Sequence, residues 1–185
     1  MTPILTDNPL KDAIFIASLV LASGFSVLAL ASEGRGRILL LLVSSLGWFG
    51  IMADKISLNL SFVFLLANVL GFTGLFVSAK PGSGPFVRLG AALCAISIAG
   101  LPPFLGFWPK FVTVLSLSTA GYIWISALLV LSNLFAMLSL LKFLDGTSSK
   151  EGKAGFISYT VLASGGLSLV LGLFAKQVSS LFGAF

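Results

Sequence analysis

The chain has no histidine and a single cysteine, Cys94, among its 185 residues. The first absence removes imidazole acid–base chemistry, histidine zinc sites and haem ligation by histidine. The second excludes a disulfide framework and a cysteine metal cluster. Charge is nearly as scarce. Charged residues make up 9% of the chain, 11 basic and 6 acidic, where a soluble domain carries about a quarter. Polar side chains are too few to coat a water-soluble globule. Disorder is excluded as well, because it needs low hydrophobicity and high charge. The chain has no glycine-rich dinucleotide fingerprint and no phosphate loop. No redox centre is expected in it, and if it serves an oxidoreductase the electrons run elsewhere.

What is present is apolar. Hydrophobic residues make up 57% of the chain, 17 of them phenylalanine, and the mean hydropathy is +1.10. The expected class is a polytopic membrane protein. The net charge of +5 comes from basic residues scattered singly between apolar runs. A basic stripe interleaved with aromatics is missing, so nucleic acid is not an expected partner. The first ten residues hold Asp7 and no basic residue, so a cleavable signal peptide is not expected.

A membrane helix needs about 20 apolar residues. The apolar runs predict spans at 13–31, 38–53, 56–79, 122–144 and 156–175, divided by the polar segments Ser32–Arg37, Asp54–Lys55, Lys80–Pro85 and Asp145–Lys153. The remaining stretch, Phe86 to Thr119, is too long for one straight span and contains Pro102-Pro103, Pro109 and Lys110. It is either two short crossing helices or one broken helix. If it crosses once, Arg35, Arg37, Lys80, Arg88, Lys142, Lys150 and Lys153 share one face, and Lys11, Lys55 and Lys176 the other. A double crossing erases this asymmetry, so the positive-inside rule favours one broken crossing. The expectation is an all-α bundle of about six crossings, one domain over 1–185, with a broken helix near 101–109 and both termini on the non-basic side.

Lys110 is the most informative residue. An ionisable group within a membrane segment costs several kcal/mol or more and is a functional candidate by default. Proline breaks the helix beside it, and the freed carbonyls must be satisfied by protein or water. Desolvation disfavours an ammonium charge, which lets a lysine exchange a proton. Two readings are open: a proton carrier at a broken helix, or a lysine snorkelling from a helix end. Arg35 and Arg37 are likewise either a positive-inside anchor or a cation on a proton route. Arginine serves the second role poorly because it stays charged. Asn59, Asn68, Asn133, Ser44, Ser45, Ser97 and Thr113 read as interhelical hydrogen-bonding groups, some of them water-lining. Lys142 reads as a snorkelling end residue or an extension of a polar axis. Gly165-Gly166 and Gly172 read as close-packing positions, and Cys94 as a buried small residue.

The segment Ser97-Ile98-Ala99-Gly100-Leu101-Pro102-Pro103-Phe104-Leu105-Gly106-Phe107-Trp108-Pro109-Lys110-Phe111 resembles the signature of subunit 2 of respiratory NADH:ubiquinone oxidoreductase, complex I. That signature typically reads S-L-x-G-(L/I)-P-P-x-x-G-F-x-x-K-(W/F). The related subunits 4 and 5 differ after the G-F. Ser132-Asn133-Leu134-Phe135 followed by Lys142 resembles that family's next helix. Arg35-Gly36-Arg37-Ile38-Leu39, with Gly47-Trp48 downstream, resembles a further region, without its A-Y-S-S core and histidine and with an arginine where the family has a lysine.

The resemblance covers roughly 10–180 and implies the C-terminal half of a split or truncated antiporter-like subunit. It implies a proton-translocating membrane-arm subunit of complex I, an enzyme only as part of the NADH:ubiquinone reductase. Lys110 would be the proton carrier, Asn133 a water-lining residue and Arg37 a second candidate on the route. No cofactor or metal is expected in this chain, and flavin, iron–sulfur clusters and ubiquinone would belong to partner subunits. The expected partners are other membrane-arm subunits, a separate chain supplying the N-terminal half with its glutamate and middle lysine, and membrane lipids. The expected location is the mitochondrial inner membrane, with both termini on the intermembrane-space side. Two other readings stay open: a subunit of a multisubunit cation/proton antiporter, and a structural helix bundle that has lost pumping.

Overall fold

The computed structural model describes residues 9–79, 85–146, 156–175 and 177. The predicted loop lysines Lys80, Lys150 and Lys153 and the terminal Lys176 lie outside the described residues. The described residues form seven helices: α1 (Pro9–Ala31), α2 (Gly34–Lys55), α3 (Leu58–Ser78), α4 (Pro85–Ala99), α5 (Phe107–Thr119), α6 (Ile123–Gly146) and α7 (Phe156–Leu173). The described residues contain no strand. Four of the helices, α1, α2, α3 and α6, are long and apolar enough to cross a membrane.

α4 and α5 are 15 and 13 residues long, about 22 and 20 Å at the helical rise, each short of a hydrocarbon core of about 30 Å. They are not an antiparallel hairpin. α4 packs on α3, α6 and α7, and α5 on α6 and α3, but α4 and α5 do not pack along each other. The two short helices therefore follow one another along α6 as one interrupted crossing, as the distribution of basic residues predicts.

The helix limits differ from the apolar runs in an instructive way. α2 begins at Gly34 rather than at residue 38, and runs through Asp54 and Lys55. Hydrophobicity marks what lies in lipid, whereas helical hydrogen bonding continues into the polar boundary. The interruption in the fourth crossing covers 100–106 rather than 101–109. Pro109 and Lys110 belong to the first turn of α5, where a proline displaces no intrahelical bond.

Between helices, small residues set the packing, as expected where lipid tails compete equally for apolar surface. Phe15, Ser18, Ala22, Ser26 and Ala29 form one buried stripe of α1 at helical spacing. Ser44 on α2 and Ser132 on α6 both donate to the Ala22 carbonyl, at 2.8 and 2.6 Å. Ser139 donates to the Ala29 carbonyl at 3.0 Å. The opposite face of α1, including Ile16, Val20, Val27 and Leu28, is exposed and suits lipid. Gly165 packs on the Leu93 side chain and α4 backbone, and Gly172 on the backbone of 103–105, whereas Gly166 faces open space. Cys94 is fully buried.

The loops sort to two ends. Glu33, Gly34, Arg35, Arg37, Ala79, Lys142 and Phe143 surround one cavity, so the α1–α2 connection and the C-termini of α3 and α6 share one end. At the other end Lys55 pairs with Asp54 at 2.9 Å and sits 4.9 Å from the Phe15 ring centroid.

Candidate functional site

The interruption after α4 is built from its sequence. Gly100 takes a positive φ of 71°, a conformation that glycine adopts without the steric cost of a Cβ. Its N–H donates to the Ser97 carbonyl at 3.1 Å, and the Leu101 N–H to the Ile96 carbonyl at 3.2 Å. This is a Schellman ending, with the expected proline just beyond. It satisfies two of the four carbonyls that a helix C-terminus leaves open. The other two belong to Ile98 and Ala99. Lys110 Nζ donates to the Ile98 carbonyl at 2.6 Å, and Asn133 Nδ2 to the Ala99 carbonyl at 2.8 Å. Lys110 Nζ also donates to Asn133 Oδ1 at 2.6 Å, which joins the two caps.

The rest of the break is held from α7. The Leu105 N–H donates to the Ser168 carbonyl at 3.2 Å, and the Ser97 and Ser168 hydroxyls bond at 2.5 Å. The Trp108 indole N–H donates to the Gly172 carbonyl at 3.3 Å. Gly172 sits so close to the 103–105 backbone that an added Cβ would lie 2.5 Å from the Leu105 nitrogen. Phe104, Leu105 and Gly106 of the break are buried in protein, whereas Pro102 and Pro103 are exposed; non-helical backbone in a membrane segment is tolerated where protein or water satisfies it.

Lys110 is 8% exposed. Its ammonium lies 5.5 Å from the Trp48 ring centroid and 6.0 Å from that of Phe64. No carboxylate ion-pairs with it among the described residues. The C-terminal dipole of α4, the two hydrogen bonds and the ring faces all favour a positive charge there. A cavity of about 170 Å³ adjoins the group, lined by Trp48, Gly100, Phe107, Phe111, Val114, Val130, Lys110 and Asn133.

The sequence-derived candidates therefore divide. Lys110 and Asn133 come together, and Asn133 touches the lysine directly. Arg37 does not join them. Its Nε donates to the Ala29 carbonyl at 3.2 Å and its Nη2 to the Ser32 carbonyl at 2.5 Å. There it closes the C-terminus of α1, at the basic end of the bundle. The sequence reading did not identify the carbonyls of Ile98 and Ala99 as ligands. Their signal was Gly100 followed by Pro102, which marks where a helix ends and so where carbonyls are left open.

No protein-family model matches the chain. Three solved structures align over nearly its whole length. A chain of the Mrp complex of Dietzia sp. superposes with a TM-score of 0.77 at 19% identity, over 94% of this chain and 47% of that one. A chain of respiratory complex I from Thermus thermophilus gives 0.76 at 20%, over 91% and 45%. A chain of the membrane-bound sulfane sulfur reductase, an archaeal respiratory membrane complex, gives 0.79 at 16%, over 95% and 42%. The chain shares its fold with a little under half of each of these membrane-complex chains. A curated relative, NADH-quinone oxidoreductase subunit N of Deinococcus radiodurans, is 41% identical over 58 residues, 31% of this chain and 12% of that protein. The chain spans less than half the length of the solved chains it matches, and its alignment to the curated relative covers about an eighth of that protein.

Proposed function

We propose that this chain is a proton-translocating membrane-arm subunit of a complex I-type NADH:quinone oxidoreductase, of the subunit 2 or N kind, and that Lys110 is its proton-carrying group. The observation that carries the reading is a buried lysine at a helix interruption, held by Ile98 and Asn133 with no carboxylate partner among the described residues. A neutral amine keeps two N–H donors and an ammonium has three. Lys110 can therefore lose a proton while both acceptors stay bonded, and only the third donor, free for the cavity, disappears. A space of about 170 Å³ admits several waters, with Lys110 and Asn133 as their polar partners.

The energetics allow both charge states. Burying a lysine costs roughly 2.5–3.5 kcal/mol or more at mid-membrane. Charge-assisted hydrogen bonds return about 1.5–3 kcal/mol each, and the helix dipole and ring faces add about 1 kcal/mol each. A charge appearing nearby shifts the balance between the two charge states. The coupling is electrostatic. Quinone reduction in a partner subunit changes the charge along the membrane arm, and Lys110 loads or releases its proton in response. NADH oxidation, flavin, iron–sulfur clusters and quinone belong to those partners.

The remaining half of the antiporter-like fold would supply the glutamate and middle lysine that the family resemblance implies. The basic end would face the matrix side of a mitochondrial inner membrane, with both termini in the intermembrane space. The corresponding arrangement for a bacterial relative puts that end in the cytoplasm.

A second reading has its own support. Lys110 and Asn133 cap α4, which is what a structural bundle without pumping would also need. The Mrp likeness supports a third, an antiporter subunit. Affinity purification of the chain from its native membrane separates membership from the antiporter reading. NADH:quinone reductase activity, flavin and iron–sulfur clusters should co-purify in constant ratio, and their absence from a stable complex would contradict the proposal.

A further inference from the structure

A second cavity, of about 410 Å³, lies at the basic end of the bundle and shares no lining residue with the Lys110 cavity. Its wall carries three cationic side chains, Arg35, Arg37 and Lys142, against one carboxylate, Glu33. The start of α2 also faces it through Gly34 and Arg35. Glu33 precedes α2 in an extended conformation, φ −125° and ψ 156°, and its side chain makes no capping bond. Among the described residues no side chain caps the first N–H groups of α2, and a helix N-terminus in that state attracts anions. Arg37 is buried, and its bonds to the Ala29 and Ser32 carbonyls fix the guanidinium in the wall. A guanidinium has five N–H donors, so others remain for a ligand. Arg35 and Lys142 are exposed and free to close on one.

Position and apolar lining select among anions. The cavity is formed by helix ends, which in a membrane lie at headgroup depth. Phe143 and Ala79 complete its wall. On the same helices as the cationic residues, Leu39 and Leu141 are 51% and 46% exposed, as suits contact with acyl chains. Basic pockets between membrane helices hold anionic headgroups on this principle.

We propose that this cavity binds the phosphate of an anionic phospholipid. The phosphate sits between Arg35, Lys142 and the N-terminus of α2, near Arg37, and the acyl chains leave toward the exposed apolar surface of α2 and α6 that carries Leu39 and Leu141. The site is separate from proton translocation and needs no property of Lys110.

The test uses the full-length chain in neutral detergent, with lipid binding read by native mass spectrometry. Phosphatidylglycerol and phosphatidylcholine are compared as ligands. The unaltered chain should hold one phosphatidylglycerol, preferred about tenfold or more over phosphatidylcholine, given about 1 kcal/mol per cation near an anionic headgroup. The double variant Arg35→Gln/Lys142→Gln should lose that preference. Lys142→Arg, which keeps the charge, should retain it, and so should Lys55→Gln, which removes a cation at the other end. Unchanged helical circular dichroism in the double variant separates loss of the site from loss of the fold; if that variant is unfolded, Lys142→Gln alone should lower the preference several-fold. Equal binding of phosphatidylcholine, an undiminished preference in the folded variants, or displacement of phosphatidylglycerol by millimolar inorganic phosphate would overturn the proposal.

Discussion

A single ammonium group closes one helix and opens the question of transport. Lys110 was legible in the sequence because a charge inside an apolar run is costly and needs a reason. Asn133 was legible as a candidate polar residue, but its direct bond to the lysine was not, and neither was the Ile98 carbonyl. Asn133 is 23 positions away on another helix, and the other partner is a main-chain group. Arg35 and Arg37 look alike in sequence, yet Arg37 is buried on the carbonyls of α1 while Arg35 is exposed. Only the rotation of α2 against α1 distinguishes them. Asn133→Leu should orphan the Ala99 carbonyl and remove one acceptor from Lys110. A loss of about 1–3 kcal/mol follows from leaving a buried acceptor unpaired. Thermal unfolding of the assembly should show it, and an unchanged melting temperature would contradict the capping role.

At the level of helices, the fourth crossing depends on two glycines. Gly100 combines positive φ with close approach, since an added Cβ would lie 2.9 Å from the Lys110 Cδ. Gly100→Ala should cost about 1–2 kcal/mol for the left-handed backbone alone. It should also push the lysine stem, so proton translocation should fall with stability. Gly172→Ala meets rigid backbone at 103–105 rather than a flexible side chain. It should force α7 away from the break and destabilise by more than Gly100→Ala, which parallel denaturation of the two variants would measure. That the helix breaks here was readable from Gly100, Pro102 and Pro103. The end of the break was not, because Pro109 fits a first helical turn as well as a loop.

Seen as a whole, the described residues form four helices long enough to cross a membrane, the interrupted pair α4 and α5, the shorter α7, and a basic end. These follow from apolar run lengths and from where the arginines and lysines fall. The 410 Å³ cavity was not legible, because its wall is assembled from the start of α2 and the ends of α3 and α6. The interrupted crossing makes a further expectation. With Cys94 replaced by alanine, single cysteines at Phe86 and Asp145 should react with an impermeant maleimide from one side of sealed vesicles. A cysteine at Thr119 should react from the other. Labelling of positions 86 and 119 from the same side would mean two crossings and would contradict the arrangement.

The central claim is that Lys110 carries a proton, and proton translocation per NADH oxidised in sealed vesicles addresses it most directly. Lys110→Met replaces the stem with similar apolar volume, so the complex should still assemble. Lys110→Arg keeps a charge that cannot readily be released. Both variants should give a lower proton-to-electron ratio than the unaltered complex. An unchanged ratio with Lys110→Met in a fully assembled complex would contradict the claim and leave Lys110 as the cap of α4.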